Sequence, residues 1–184
     1  MRRFGEDDAE WFAAMNADIE VTRFLGSGRP YRRDESDESL AKIIAHWDQH
    51  DFGLWAVERL DTGEPIGFVG LAIPTFLPRI LPAVEVGWRL SRRHWGQGFA
   101  TEGAMVALDH GFATLGLDRI VSITVHDNLA SQRLMARLGL ERHCAEVHPA
   151  LGIVVEVRAL TAERWAARAL PGAPATSAPV PGSG

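Results

Sequence analysis

The chain has 184 residues, 46% apolar and 23% charged, with a net charge of −5 and a pI near 5.8, which describes one globular domain with a full core and no basic surface for nucleic acid. Basic residues gather only in pairs such as Arg32-Arg33 and Arg92-Arg93, and Cys144 is the single cysteine, so an internal disulfide is excluded and a reducing compartment fits. No apolar segment follows Met1-Arg2-Arg3-Phe4 and no uncharged apolar run approaches the ~18 residues of a membrane span, so the expectation is a cytoplasmic protein with no membrane partner.

Residues 1–5 read as the end of a strand. Asp7 or Asp8 is placed to cap a helix through Trp11, Phe12 and Met15, and Asp18 a short one through Val21 and Phe24, closed by Gly26. A loop over 28–36 precedes a helix over 37–50, with Leu40, Ile43, Ile44 and Trp47 at helical spacing. His46 and His50 on that helix have metal-ligand spacing. Trp47 stands where a zinc-protease helix carries Glu, however, and no third ligand is evident, so no metal is expected. Strands over 54–58 and 66–72 flank the turn Asp61-Thr62-Gly63.

Residues 74–82, PTFLPRILP, form an apolar loop with three prolines. It is either an ordered surface connection or one wall of a pocket, with Phe76, Leu77, Ile80 and Leu81 as an exposed apolar patch. A strand over 83–90 follows, then a helix over 99–115 with Ala104, Leu108, Phe112 and Leu115 on one stripe and Gly116 as its stop. Next come a strand over 119–126, a helix from Asp127-Asn128 to Gly139, strands over 141–147 and 153–160, and a last helical turn near 161–165. After Leu170 the composition becomes PGAPATSAPVPGSG, with no charge or large aromatic. That tail, 171–184, is expected to be disordered, leaving 1–170 as the folded domain.

The chain is organised around 85–103, EVGWRLSRRHWGQGFATEG. Val84, Val86, Trp88 and Leu90 share one strand face, while Glu85, Gly87 and Arg89 share the other. Arg93-His94-Trp95-Gly96-Gln97-Gly98 then leads into a helix. A strand, a basic glycine loop and a helix N-terminus in succession make an anion site, because uncapped N–H groups and the helix dipole point at the loop. Three phosphate loops compete for these residues. A P-loop needs Gly-Lys-Ser/Thr, which is absent; the dinucleotide pattern G-x-G-x-x-G fails at Thr101. Arg-x-x-Gly-x-Gly matches in full at Arg93, Gly96 and Gly98.

This last pattern resembles the acyl-CoA loop of the GNAT superfamily of N-acetyltransferases. Asn128-Leu129-Ala130-Ser131-Gln132-Arg133-Leu134 through Leu138-Gly139-Leu140 resembles that superfamily's second cofactor motif. More narrowly, G-x-G-F-A-T-E-G with N-x-A-S-x-R is similar to the branch containing ribosomal-protein N-terminal acetyltransferases. The resemblance covers about residues 2–165. It implies an α+β fold: a single domain with a mixed, mostly antiparallel sheet in which two parallel central strands, 83–90 and 119–126, splay apart between flanking helices.

The resemblance also implies acetyl-CoA as acyl donor, no metal, an amine acceptor, a direct ternary-complex mechanism, and a monomer or homodimer. Backbone groups of Trp88, Arg89 and Leu90 would bond the pantetheine amides. Arg93 and the amides of His94, Trp95, Gly96, Gln97, Gly98, Phe99 and Ala100 would hold the pyrophosphate. Asn128 would reach the pantetheine arm or serve as an N-cap, and Arg133 would meet a phosphate or stay solvated. Glu85 is the expected general base, with a solvated or ion-paired strand residue as the plainer reading. Many relatives place a Tyr acid where this chain has Met135, so Ser131 is the expected partner of the leaving sulfur. An acyl-CoA-binding module without transferase activity is the alternative; dinucleotide binding is a third.

Overall fold

Alternating apolar residues between tight turns produce six strands among the described residues: β1 (Leu54–Glu58), β2 (Pro65–Ala72), β3 (Glu85–Leu90), β4 (Arg119–Val125), β5 (Glu141–Val147) and β6 (Val154–Thr161). The structure is a computed structural model and describes residues 1–168; the tail expected over 171–184 lies outside the described residues. The strands form one sheet in the order β1-β2-β3-β4-β6-β5. Every neighbouring pair is antiparallel except β3 and β4, which are parallel and share a single register pair, Glu85 with Val121. This is the mixed, splayed sheet that the family resemblance implies. Residues 1–5 contribute only an isolated bridge between Arg2 and Ala56.

Among the described residues six α-helices complete the fold: α1 (Ala9–Asn16), α2 (Ile19–Thr22), α3 (Arg33–His50), α4 (Phe99–Asp109), α5 (Leu129–Leu138) and α6 (Ala162–Ala166). One sheet face packs on α4 and α5, where Val86 and Leu90 of β3 join Ala104, Ala107, Leu108, Met135 and Leu138 in the larger core. Burying each large apolar side chain there contributes about 1.5–3 kcal/mol. The other face packs on α1–α3 through Phe4, Phe12, Met15, Leu40, Ile43 and Phe68. A third cluster around Val121, Val155 and Val157 lies under the proline-rich loop.

Several expected boundaries and caps move. Helix α3 begins at Arg33 rather than 37, because the Glu35 carboxylate accepts from the Arg32 N–H at 2.8 Å and is gripped by Arg29. Asp8 makes no N-cap bond; it is buried, ion-paired with Arg2 at 2.7 Å, and accepts from the Gly5 N–H and the Trp11 indole. Those contacts hold its carboxyl down to about 2, even though burial opposes its charge. Asp18 does cap α2, accepting from the Glu20 N–H. Helix α4 ends at Asp109, and a single π turn, 110–114, carries the chain to Gly116 at φ +66°. The loop 74–82 is not an exposed apolar patch throughout: Leu77 is fully buried and pins it onto the third cluster, leaving Phe76 and Leu81 outside.

Candidate active site

The central feature is the seam between β3 and β4. The Val121 N–H donates to the Val84 carbonyl at 2.9 Å, and beyond Glu85 the two strands share no further register pair. The Ser91 N–H donates to the Ile66 carbonyl at 2.8 Å, which makes Phe68 and Arg89 a hydrogen-bonded pair in the antiparallel ladder. Arg89 therefore turns its own N–H and C=O toward β2. This corrects the expectation that Arg89 offers backbone groups to a cofactor. By the same alternation Trp88 turns its N–H and C=O, and Leu90 its N–H, into the open seam. The Leu90 carbonyl is taken by the Trp95 indole at 2.7 Å.

The glycine loop follows directly. Gly96 and Gly98 sit at φ +72° and +92°, where side chains are disfavoured, and a Cβ at either would meet nothing within 4 Å. Space and conformation thus coincide where an anion would approach the backbone. Gly98 is the N-cap of α4 and supplies no side-chain cap, so the first-turn N–H groups near Phe99, Ala100 and Thr101 are left for a ligand or water. The Gln97 amide braces the loop by donating to the Arg93 carbonyl at 2.9 Å. Arg93 is largely exposed and ion-paired with Glu64. His94 lies buried beside that pair and meets the Phe99 ring edge-on.

On the opposite bank, Asn128 Oδ1 accepts from the Ser131 N–H at 3.1 Å, so this side chain caps α5. Ser131 and Arg133 line the cavity alongside it. Met135 is buried in the larger core and does not face the cavity. Arg137, which belongs to no motif read from the sequence, reaches Thr101 Oγ1 at 3.4 Å and joins the cavity wall near the start of α4.

These groups border one cavity of about 940 Å³ that passes through the seam to the α1–α3 face. On that face lies the floor Glu85–Gly87–Arg89. The cavity opens over Glu85, yet the carboxyl sits deep beneath the protein surface. Desolvation pushes it up to about 8, and the nearby Ile123 N–H only partly opposes this. The cavity also meets the proline-rich loop at Thr75 and Phe76, and Phe76 stacks on His148 at 5.5 Å. His46 lines it as well. Its ring is committed within the fold, with Nδ1 2.8 Å from the Phe52 carbonyl and Nε2 accepting from the Ile73 N–H at 3.2 Å. Among the described residues no group of three or more His, Cys, Asp or Glu is placed to hold a metal. No described helix is long and apolar enough to cross a membrane.

Sequence reasoning missed the network around the Arg89 side chain. Asn16 is fully buried at the end of α1; its Oδ1 accepts from Arg89 Nη1 at 2.7 Å and its Nδ2 donates to Ser36 Oγ at 2.9 Å. The guanidinium lies over the Tyr31 and Phe68 rings at 5.4 and 5.1 Å. A single asparagine at a helix end carries no sequence signal of this kind.

Residues 1–141 match a family model described as an acetyltransferase (GNAT) domain. The chain is 30% identical over 142 residues to an N-acetyltransferase of Bacillus subtilis, YoaA, covering 77% of this chain and 78% of that protein. It is 32% identical over 141 residues to the FsC-acetyl coenzyme A-N(2)-transacetylase of Aspergillus fumigatus, covering 74% of this chain but only 59% of that one. Among solved structures, a GNAT-family acetyltransferase from Bacillus anthracis superposes with a TM-score of 0.72 at 19% identity, covering 88% and 93% of the two chains. A spermidine N-acetyltransferase from Vibrio cholerae, in complex with CoA and spermine, gives 0.71 at 20%, covering 90% and 96%. These two structural likenesses show the fold alone.

Proposed function

Since this chain belongs to the GNAT acetyltransferase family and is an acetyl-CoA-dependent acetyltransferase, we propose that it acetylates a primary amine directly, with donor and acceptor bound together. The observation that carries this reading is the seam: unpaired backbone groups of Trp88 and Leu90 open onto a cavity that continues from the glycine loop to Glu85. An extended amide-bearing arm fits such an edge by adding main-chain hydrogen bonds. The amides near Gly96–Ala100, with Arg93 once it shares or leaves Glu64, form the anion end of the same groove.

Bound acetyl-CoA supplies the acetyl group as a thioester. Glu85 then acts on the acceptor: as a carboxylate it removes the ammonium proton, so the nitrogen lone pair becomes available. The Leu90 N–H, pointing into the seam, is placed to donate to a carbonyl oxygen as charge develops there. Ser131 Oγ lies on the far wall, where a hydroxyl hydrogen-bonds a departing sulfur; Met135, buried in the core, takes no part. Asn128 keeps Nδ2 free for the pantetheine arm while its Oδ1 caps α5, and Arg133 stands at the mouth for a phosphate. No step calls for a covalent enzyme intermediate, and Cys144 lies outside the cavity lining.

The run G-F-A-T-E-G with Asn128, Ser131 and Arg133 supports kinship with the branch that holds ribosomal-protein N-terminal acetyltransferases. The acidic charge and lone cysteine support action in the cytoplasm without a nucleic-acid partner. An amine panel with acetyl-CoA, reading free thiol, tests the function. Thiol release that rises with one amine class above the hydrolytic background supports it; background release across free amino acids, peptides and polyamines overturns it.

A further inference from the structure

The α1–α3 half of the cavity contains cations that are paired and, among the described residues, one arginine that is not. Arg23 pairs with Glu20 at 3.1 Å, and Lys42 with Glu38 at 2.7 Å. Arg89 has no carboxylate within ion-pair range among the described residues. Its Nη1 donates to the neutral Asn16 amide, and its Nε is sealed from solvent without a partner. A cation this deep is costly unless its donors are satisfied. The fold nonetheless holds it in place with a buried amide, a serine and two aromatic faces. Burial opposes its charge and the adjacent Tyr31 hydroxyl supports it. Such a fixed fork with spare N–H groups matches a carboxylate.

Arg89 shares the cavity floor with Glu85, with only Gly87 between them on that face. A Cβ on Gly87 would meet nothing within 4 Å, so the space above the strand is open. At ~3.3 Å per strand residue, the Cα atoms of Glu85 and Arg89 are roughly 13 Å apart. A ligand engaging both carries its amine and its anion several bonds apart.

Resting on the acceptor site proposed above, we infer that Arg89 is a specificity residue for an acceptor whose primary amine is accompanied, several bonds away, by a carboxylate. The amine lies at Glu85 and the carboxylate at the Arg89 guanidinium. An ω-amino carboxylate and a peptide N-terminus followed by an acidic side chain share that chemistry. A polyamine does not, because its second cation would meet Arg89.

The test compares 6-aminohexanoate with 6-aminohexanamide and spermidine, and the C-terminally amidated dipeptides Ala-Glu-NH2 with Ala-Gln-NH2, as acceptors. Alongside it, thermal shifts are read with 6-acetamidohexanoate and 6-acetamidohexanamide, which need no turnover. The expected result is at least tenfold higher kcat/KM for the carboxylate member of one pair, carried mainly by KM. A shift with the acetamido acid that exceeds that with its amide is also expected. Whichever pair shows the preference identifies the source. Arg89→Met should erase the preference ratio and the extra shift, and Arg89→Lys should restore part of both, with circular dichroism checking the fold. Turnover of the acid and the amide at similar kcat/KM in both pairs, or faster turnover of spermidine than of every carboxylate acceptor, overturns the anion site and leaves the transferase reading standing. Absence of turnover with a persistent Arg89-dependent shift leaves the anion site standing and sinks the acceptor reading. Equal shifts for acid and amide overturn the inference even if Arg89→Met fails to fold, since the wild-type protein decides that comparison.

Discussion

Replacing Glu85 with Gln separates its chemistry from its energetics. The carboxyl is pushed from an ordinary 4.5 up to about 8 by burial, so the folded protein retains a proton that the unfolded chain releases. Stability therefore falls as pH rises from about 4.5 to about 8, the window in which the native state binds more protons. At 1.36 kcal/mol per pH unit the full cost is at most roughly 5 kcal/mol, and solvent entering through the cavity reduces it to roughly 2–3. Glu85→Gln removes this cost. At pH 9 the variant should melt about 5–10 °C above wild type, at about 2–4 °C per kcal/mol for a chain of this size; at pH 4 the two should coincide. In activity, wild-type kcat/KM should rise with a single-proton limb centred near 8. The variant should lose that limb and about 10²–10⁴ of the rate, with acetyl-CoA affinity unchanged. Differential scanning fluorimetry and initial rates over pH 5–10 supply both readings. A variant within threefold of wild type that keeps the same limb shows that the base lies elsewhere. Equal melting curves at pH 9 refute the buried-carboxyl argument itself.

Other outcomes follow from the cavity walls and the loop that borders them. Gly98→Val puts a β-branched residue at φ +92°; the thermal stabilisation that acetyl-CoA gives wild type, about 2.7 kcal/mol at a hundredfold excess over Kd, should vanish while the unliganded fold persists. Ser131→Ala should lower kcat with little change in acetyl-CoA affinity, measured by titration, whereas parallel losses would make it a binding contact. Leu77→Ala should destabilise the protein by about 2–4 kcal/mol in urea unfolding, since Leu77 is fully buried under its loop; a loss below 1 kcal/mol would mean the loop is not anchored there.

The strands were legible because their apolar alternation matches the two-faced burial of a sheet covered by helices. The glycine loop was legible because Gly96 and Gly98 occupy backbone conformations that other residues avoid. Start and stop signals at Asp18, Asn128 and Gly139 worked because each acts on groups within four residues of itself. What was not legible depends on partners distant in the chain. The early start of α3 needs Arg29 to hold Glu35. The burial of Leu77 needs β4 and β6 beneath it. The direction of Arg89's backbone depends on strand register, and its side-chain environment joins Asn16, Tyr31, Ser36 and Phe68 from three separate segments. Local pattern reports what a residue does to its neighbours in sequence; a cavity floor is assembled from residues that are neighbours only after folding.

The open seam has a consequence for the end of the reaction. Backbone groups of Trp88 would engage the pantetheine arm, the part of the donor that acyl transfer leaves unchanged. The glycine loop would likewise engage a pyrophosphate common to donor and product. Contacts of this kind hold spent CoA about as firmly as they held acetyl-CoA, because they do not distinguish the two. Chemistry at the thioester therefore leaves most of the contacts that hold the product in place. Free CoA should compete with acetyl-CoA at comparable concentrations, and departure from the seam is a step that can limit turnover.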